Sequence, residues 1–152
     1  LIRETLHHNV VEYQIASGLD IGLCHCWPRE GRLVFAGAGL SLYCAQGNEV
    51  AEIKGARKRV GHKDRGTGFA YENRELSLTP ETSLYLTTDG FLDQAGGEKG
   101  YGFGRERFMA MIADNCFLQM EEQERIYRKI LADYRGDFPQ RDDIAFWGFR
   151  IR

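Results

Sequence analysis

Apolar positions recur along this chain first at helical and then at strand spacing. Ile2, Leu6, Val10, Val11 and Ile15 recur at a helix-like period over residues 1–15, read as the last turns of a longer helix and broken at Ser17-Gly18. Shorter apolar runs follow, divided by turn formers. Ile21–Trp27, Leu33–Ala38, Leu40–Ala45 and Val50–Ile53 read as four strands, with Pro28, Glu30-Gly31 and Gln46-Gly47-Asn48 as the stops and turns. Residues 55–68 are basic and glycine-rich and read as a loop. Phe69–Leu78 reads as a strand closed by Pro80-Glu81, and Leu84–Thr88 as another that ends on Asp89-Gly90.

The period then changes. Residues 93–104 are glycine-rich and read as a mobile flap leading into a helix at Arg105, with Phe108, Met111, Ile112 and Phe117 turned inward. A second helix over Met120–Tyr134 has Ile126, Ile130 and Leu131 on its inner face and stops at Gly136-Asp137-Phe138-Pro139. Ile144–Ile151 reads as the closing strand. Trp27, Phe35, Trp147 and Phe149 are assigned to the sheet core. Strands in antiparallel series, two helices and a last strand make an α+β fold, not a parallel βαβ one. The whole of 1–152 reads as one domain, with no repeat, low-complexity segment or linker.

Composition narrows the function classes. The chain has 152 residues, 43% hydrophobic and 28% charged, with a formal net charge of -2. That balance gives no basic face for DNA or RNA, so a nucleic-acid partner is excluded. No apolar run approaches the roughly 20 residues of a membrane span, and the start carries no signal-peptide core. Four cysteines at irregular spacing do not make a disulfide framework. Cys24 and Cys26 share a strand face while His25 points away, and no second ligand pair completes a zinc tetrahedron. They read as buried, reduced cysteines of a cytoplasmic protein.

The candidate chemistry sits at two strand ends. Leu84-Tyr-Leu-Thr-Thr-Asp89-Gly90 and Arg141-Asp142-Asp143-Ile144-Ala-Phe-Trp147 each set a carboxylate where an apolar run meets a turn. Taken singly, each is an ordinary Asp-Gly turn or a solvated strand entry. Together they offer oxygen ligands on rigid elements, which suits a hard divalent cation and metal-assisted hydrolysis of a phosphate ester.

Ala36-Gly-Ala-Gly39, Val60-Gly61, Thr88-Asp89-Gly90-Phe-Leu-Asp93, Gly102-Phe-Gly104-Arg-Glu-Arg-Phe108 and Asp142-Asp143-Ile144 occur in an order that resembles the SpoIIE-type branch of the metal-dependent PPM (PP2C-like) serine/threonine phosphatases, over about Asp20–Ile151. Asp93-Gln94-Ala-Gly-Gly97 and Val60-Gly61-His62 resemble bacterial sensor-linked phosphatases such as those controlling biofilm formation. The resemblance implies two stacked antiparallel sheets flanked by helices, with a two-metal Mn²⁺ or Mg²⁺ centre between the sheets. It makes Asp89 and Asp142 the catalytic carboxylates and metal ligands, Asp143 a further ligand or a support, and Gly90 part of the cofactor-binding turn. It implies a phosphorylated protein substrate, a STAS-domain anti-sigma-factor antagonist, and an upstream sensor or membrane module in the same polypeptide. The assembly state stays open, a homodimer among the options.

One departure counts against full activity. The family's first metal motif, an Asp-bearing strand and a later Gly-Asp-x-x-Gly segment, has no counterpart here, and Gly18-Leu-Asp20-Ile-Gly22 fits a strand entry instead. The expectation is that the N-terminal strands and the bridging ligand lie outside this chain, which alone is inactive. Two other readings compete: a non-catalytic interaction module of the same fold, and a phosphate-binding regulatory domain. The basic residues Lys54, Arg57, Lys58, Arg59, Lys63 and Arg65 read as a solvated loop, with docking of an acidic partner as the alternative. His7, His8 and His62 read as surface histidines.

Overall fold

A computed structural model describes residues 18–61 and 69–151. The helix expected over residues 1–15, and His7, His8, His62, Lys63 and Arg65, lie outside the described residues. The chain divides into two compact units, one of residues up to 42 with 54–77, the other of 43–53 with 78 onward.

The first unit holds a three-stranded sheet in the order β1 (Ile21–Trp27), β2 (Arg32–Ala38), β5 (Arg74–Ser77). β1 and β2 pair antiparallel from Ile21 opposite Ala38 to Trp27 opposite Arg32. Leu33 and Phe35, one face of β2, are fully buried. β5 pairs antiparallel with β2 only from Arg32 opposite Ser77 to Phe35 opposite Arg74. The expected strand over Phe69–Leu78 is therefore overlong. Beyond Phe35 that edge of β2 is already taken: Ala56 donates to the Gly37 carbonyl and accepts from the Gly39 amide, both at 2.8 Å. Residues 69–73 have no edge left to join. Asp20 directly precedes β1, as expected, and its carboxylate meets Arg59 Nε at 3.0 Å.

The second unit holds a four-stranded sheet, β4 (Glu49–Ile53), β3 (Leu42–Gln46), β6 (Ser83–Thr87), β9 (Phe146–Arg150), with β9 at its edge. Three helices belong to this unit among the described residues: α1 (Asp89–Leu92), α2 (Gly104–Asn115) and α3 (Met120–Arg135). Their inner faces pack Phe91, Phe108, Met111, Ile112 and Tyr127 against Tyr43, Tyr85 and Phe146. Ile126, Ile130 and Leu131 pack partly buried against the same cluster, as their spacing predicts. Gln123 is buried at its centre: Oε1 accepts from Tyr85 Oη at 2.8 Å and Tyr127 Oη at 3.1 Å, and Nε2 donates to the Cys116 and Leu118 carbonyls. A buried polar group is tolerable when every lone pair and proton is matched in this way.

Several side chains expected in the core are elsewhere. Phe146 turns toward the helices, so period-2 alternation sends Trp147 the other way, where it is 55% exposed. Phe117 follows α2 and is 68% exposed. Cys24 and Cys26 are half-buried on edge strand β1, while Cys44 and Cys116 are buried. Nor is the segment over 93–104 an open flap: β7 (Ala95–Gly96) and β8 (Tyr101–Gly102) pair antiparallel. Tyr134 of α3 donates to the Tyr101 and Gly102 carbonyls, and its own carbonyl accepts from Gly97.

Candidate functional site

β6 (Ser-Leu-Tyr-Leu-Thr) and β9 (Phe-Trp-Gly-Phe-Arg) are rich in apolar and aromatic residues that suit a half-buried pleated surface. They pair antiparallel from Ser83 opposite Arg150 to Thr87 opposite Phe146. Gly148 opposes Tyr85, and a β-carbon there would lie 2.9 Å from the Tyr85 ring. The glycine leaves room for the tyrosine that reaches Gln123.

At the end of this ladder two threonines carry the pairing further. Thr88 N–H donates to the Ala145 carbonyl at 3.0 Å, and Thr87 Oγ1 donates to the same oxygen at 3.0 Å. The Thr88 hydroxyl accepts from the Ala145 amide and donates to the Asp143 carbonyl. The chain leaving β6 and the chain entering β9 are thus fastened side by side where the carboxylates begin. Asp89 opens α1, and its carbonyl accepts from the Asp93 amide at 2.8 Å. Gly90 is buried against the other segment: a β-carbon on it would lie 2.5 Å from the Asp143 carbonyl oxygen and 3.4 Å from the Asp142 carbonyl carbon. Only glycine permits that approach.

The two acidic segments, far apart in sequence, therefore adjoin in the fold. Asp89, Asp142 and Asp143 are all exposed. Asp142 Oδ1 accepts from the Asp143 amide at 2.7 Å, which aligns the first carboxylate of the pair along its own backbone. Exposed carboxylate oxygens on ordered backbone match a hard cation in chemical type. They fall short in number, since among the described residues no group of three or more His, Cys, Asp and Glu side chains could hold a metal ion.

Three residues that sequence reading missed hold this arrangement. Thr88 is the clasp, and its place before Asp89 in a Thr-Thr-Asp-Gly run was a signal, because threonine readily bonds neighbouring backbone. Gln94, buried, donates through Nε2 to the Ala95 carbonyl at 3.0 Å and the Pro139 carbonyl at 3.1 Å. Gln140 Nε2 donates to the Asp142 carbonyl at 2.8 Å. Gln140 bonds within its own segment, whereas the Gln94 bond to Pro139 spans 45 positions and no local pattern announces it.

Other candidate chemistry carries less. Burial pushes the Cys24, Cys26, Cys44 and Cys116 thiols up, which disfavours the thiolate a nucleophile needs. In the basic loop, Lys58 lies over the Phe69 ring at 5.0 Å and Arg59 pairs with Asp20.

The sequence profile of the family Stage II sporulation protein E (SpoIIE) matches residues 2–152. A search of curated proteins returns no match. Among solved structures, the SiaA-PP2C domain of Pseudomonas aeruginosa is 41% identical with a TM-score of 0.87, over 99% of this chain and 58% of that one. The phosphatase domain of the cell-fate determinant SpoIIE from Bacillus subtilis shares the fold at 12% identity and a TM-score of 0.61, over 98% of this chain and 64% of that one. The serine/threonine phosphatase PstP/Ppp of Mycobacterium tuberculosis does so at 11% identity and a TM-score of 0.57, over 95% of this chain and 65% of that one. Antiparallel sheets with helices, expected from the sequence, are the PP2C-like fold these domains share. The chain spans about three-fifths of the length of these relatives.

Proposed function

Because the chain belongs to the SpoIIE family of PP2C-like phosphatase domains, we propose that it is the Asp89- and Asp142-bearing part of a metal-dependent protein serine/threonine phosphatase. The observation that carries this reading is the Thr88 clasp, which holds the two acidic segments side by side. Asp89 and Asp142 would hold Mn²⁺ or Mg²⁺, with Asp143 as a further ligand or support. The cation supplies Lewis acidity toward water and offsets phosphoryl charge. The chain's own share is to aim oxygen donors from a rigid ladder, with Gly90 keeping the two backbones close. The remaining ligands come from sequence outside this chain, which alone is inactive.

The proposed substrate is a phosphoserine or phosphothreonine protein, a STAS-type anti-sigma-factor antagonist, in cytoplasmic bacterial signalling downstream of a sensor module. No helix of the described residues is long and apolar enough to cross a membrane. In the longer protein, Mn²⁺-dependent hydrolysis of p-nitrophenyl phosphate and of a phosphoserine protein is expected, and Asp89→Asn or Asp142→Asn abolishes both. Unchanged turnover in either variant overturns the assignment.

A second reading has one observation in its favour. The absence of a group of three ligands among the described residues suits an interaction module that binds a phosphoprotein without turnover. It predicts binding that survives chelation of divalent metal.

A further inference from the structure

Asp142 lies in the connection between α3 and β9, and an exposed connection keeps its shape only where the rest of the fold holds it. Two anchors come from the stretch that follows β6. Thr88 holds the end nearer β9, through the Asp143 carbonyl and the Ala145 amide. Gln94, after α1, holds the end nearer α3: its Nε2 donates to the Pro139 carbonyl at 3.1 Å and to the Ala95 carbonyl at 3.0 Å. Asp142 falls between the two.

The Gln94 anchor is built into the fold. Its side chain is 1% exposed, so water hardly competes for the two donated bonds. A flipped amide would set Oε1 against both carbonyls, which fixes its orientation. The glycines that follow seat the same connection where it leaves α3. Gly97 N–H donates to the Tyr134 carbonyl at 2.8 Å, and a β-carbon on Gly96 would lie 2.1 Å from that oxygen. Gln140, by contrast, is exposed and bonds the Asp142 carbonyl within its own segment. It shapes the turn without tying it to another element.

We infer that Gln94 is a positioning residue for Asp142. It acts through the main chain, and its bond to Pro139 sets where the Asp142 carboxylate stands relative to Asp89. The inference rests on the reading of those two carboxylates as metal ligands, whose oxygens a cation needs at a set separation. The run Asp93-Gln94-Ala-Gly-Gly97 then has a physical role: the glutamine anchors the acidic segment, and the glycines admit the end of α3.

The test is Gln94→Met, which keeps the length and apolar burial of the side chain and loses both donated bonds. In the 152-residue chain, ¹⁵N relaxation should show backbone order at residues 140–143 falling to the flexible range, below about 0.6, while the amides of Leu86 and Trp147 stay rigid. In the longer protein, Mn²⁺ affinity by titration calorimetry falls about tenfold, and kcat for p-nitrophenyl phosphate falls with KM little changed. Gln123→Leu, which weakens α3 without touching Pro139, must leave residues 140–143 and Mn²⁺ affinity as in the parent. If Gln94→Met does not fold, Gln94→Asn, an amide one methylene too short for Pro139, gives the same readouts. Unchanged order at residues 140–143 overturns the inference, because the anchor then holds nothing. Mobility that spreads into β9 overturns it too, because the residue then supports the whole unit and not Asp142. So does an Mn²⁺ affinity equal to the parent's. A parent protein that binds no Mn²⁺ removes the metal reading, whereas relaxation in the 152-residue chain decides the anchor by itself.

Discussion

The Thr88 hydroxyl donates to the Asp143 main-chain carbonyl at 3.0 Å and receives the Ala145 amide at the same distance. One side chain from the end of β6 thus fixes the backbone that enters β9. Thr88→Val leaves that carbonyl and that amide without a partner. We expect a loss of about 1–2 kcal/mol in urea denaturation, with Thr88→Ser near the parent, and a larger loss of Mn²⁺-dependent turnover in the longer protein. Equal stability of the valine and parent chains would show that the clasp holds nothing.

Gly90→Ala tests the close approach itself. Its β-carbon meets main-chain atoms of Asp143, which cannot rotate away as a flexible side chain would. A destabilisation of about 2 kcal/mol is expected, in the range of overpacked interiors. Amide shifts in an NMR spectrum should concentrate at residues 142–145 and spare α2.

Gln123→Leu removes the acceptor shared by Tyr85 and Tyr127. Both buried hydroxyls then lose their shared acceptor, at about 1–3 kcal/mol in all. Tyr127→Phe in the Gln123→Leu background should recover part of the loss, since it deletes one of the stranded groups. A double-mutant cycle that shows no coupling would contradict the network.

Alkaline pH supplies an independent check. Desolvation by burial raises the Tyr43, Tyr85 and Tyr127 phenols, the last most strongly. The folded state then holds protons that the unfolded chain has released, so stability is fully present below the ordinary tyrosine value of about 10 and falls as pH rises past it. Absorbance at the tyrosinate band should therefore appear late for these three phenols and rise together with loss of near-ultraviolet circular dichroism. Early titration of all three in the folded chain would sink the prediction.

Much of the framework is legible in the sequence because its signals are local. The alternation in Ile21–Trp27 and Leu33–Ala38, the helical spacing through Phe108, Met111 and Ile112, and the stop at Gly136 each depend on residues a few positions apart. What fails depends on competition for an edge or a face. Residues 69–73 look like a strand, but Ala56 holds the edge they would need. Trp147 looks like core, but Phe146 takes the helix-facing place and alternation leaves Trp147 outside. The acidic strand ends could be read as a pair from residue type and position. The threonine clasp between them and the Gln94–Pro139 bond join segments far apart in sequence, so local spacing does not reveal their partners.

Asp89 and Asp142 hang from adjoining strands of a single ladder, and everything between them, hairpin, α2 and α3, departs from that ladder and returns to it. The intervening segment behaves as a closed excursion whose ends are pinned. Insertions or exchanges within it can reshape the surface a partner meets while the spacing of the two acidic segments stays as the ladder sets it. The outer surface of that excursion and the placement of the two acidic segments are in this way free to diversify at different rates.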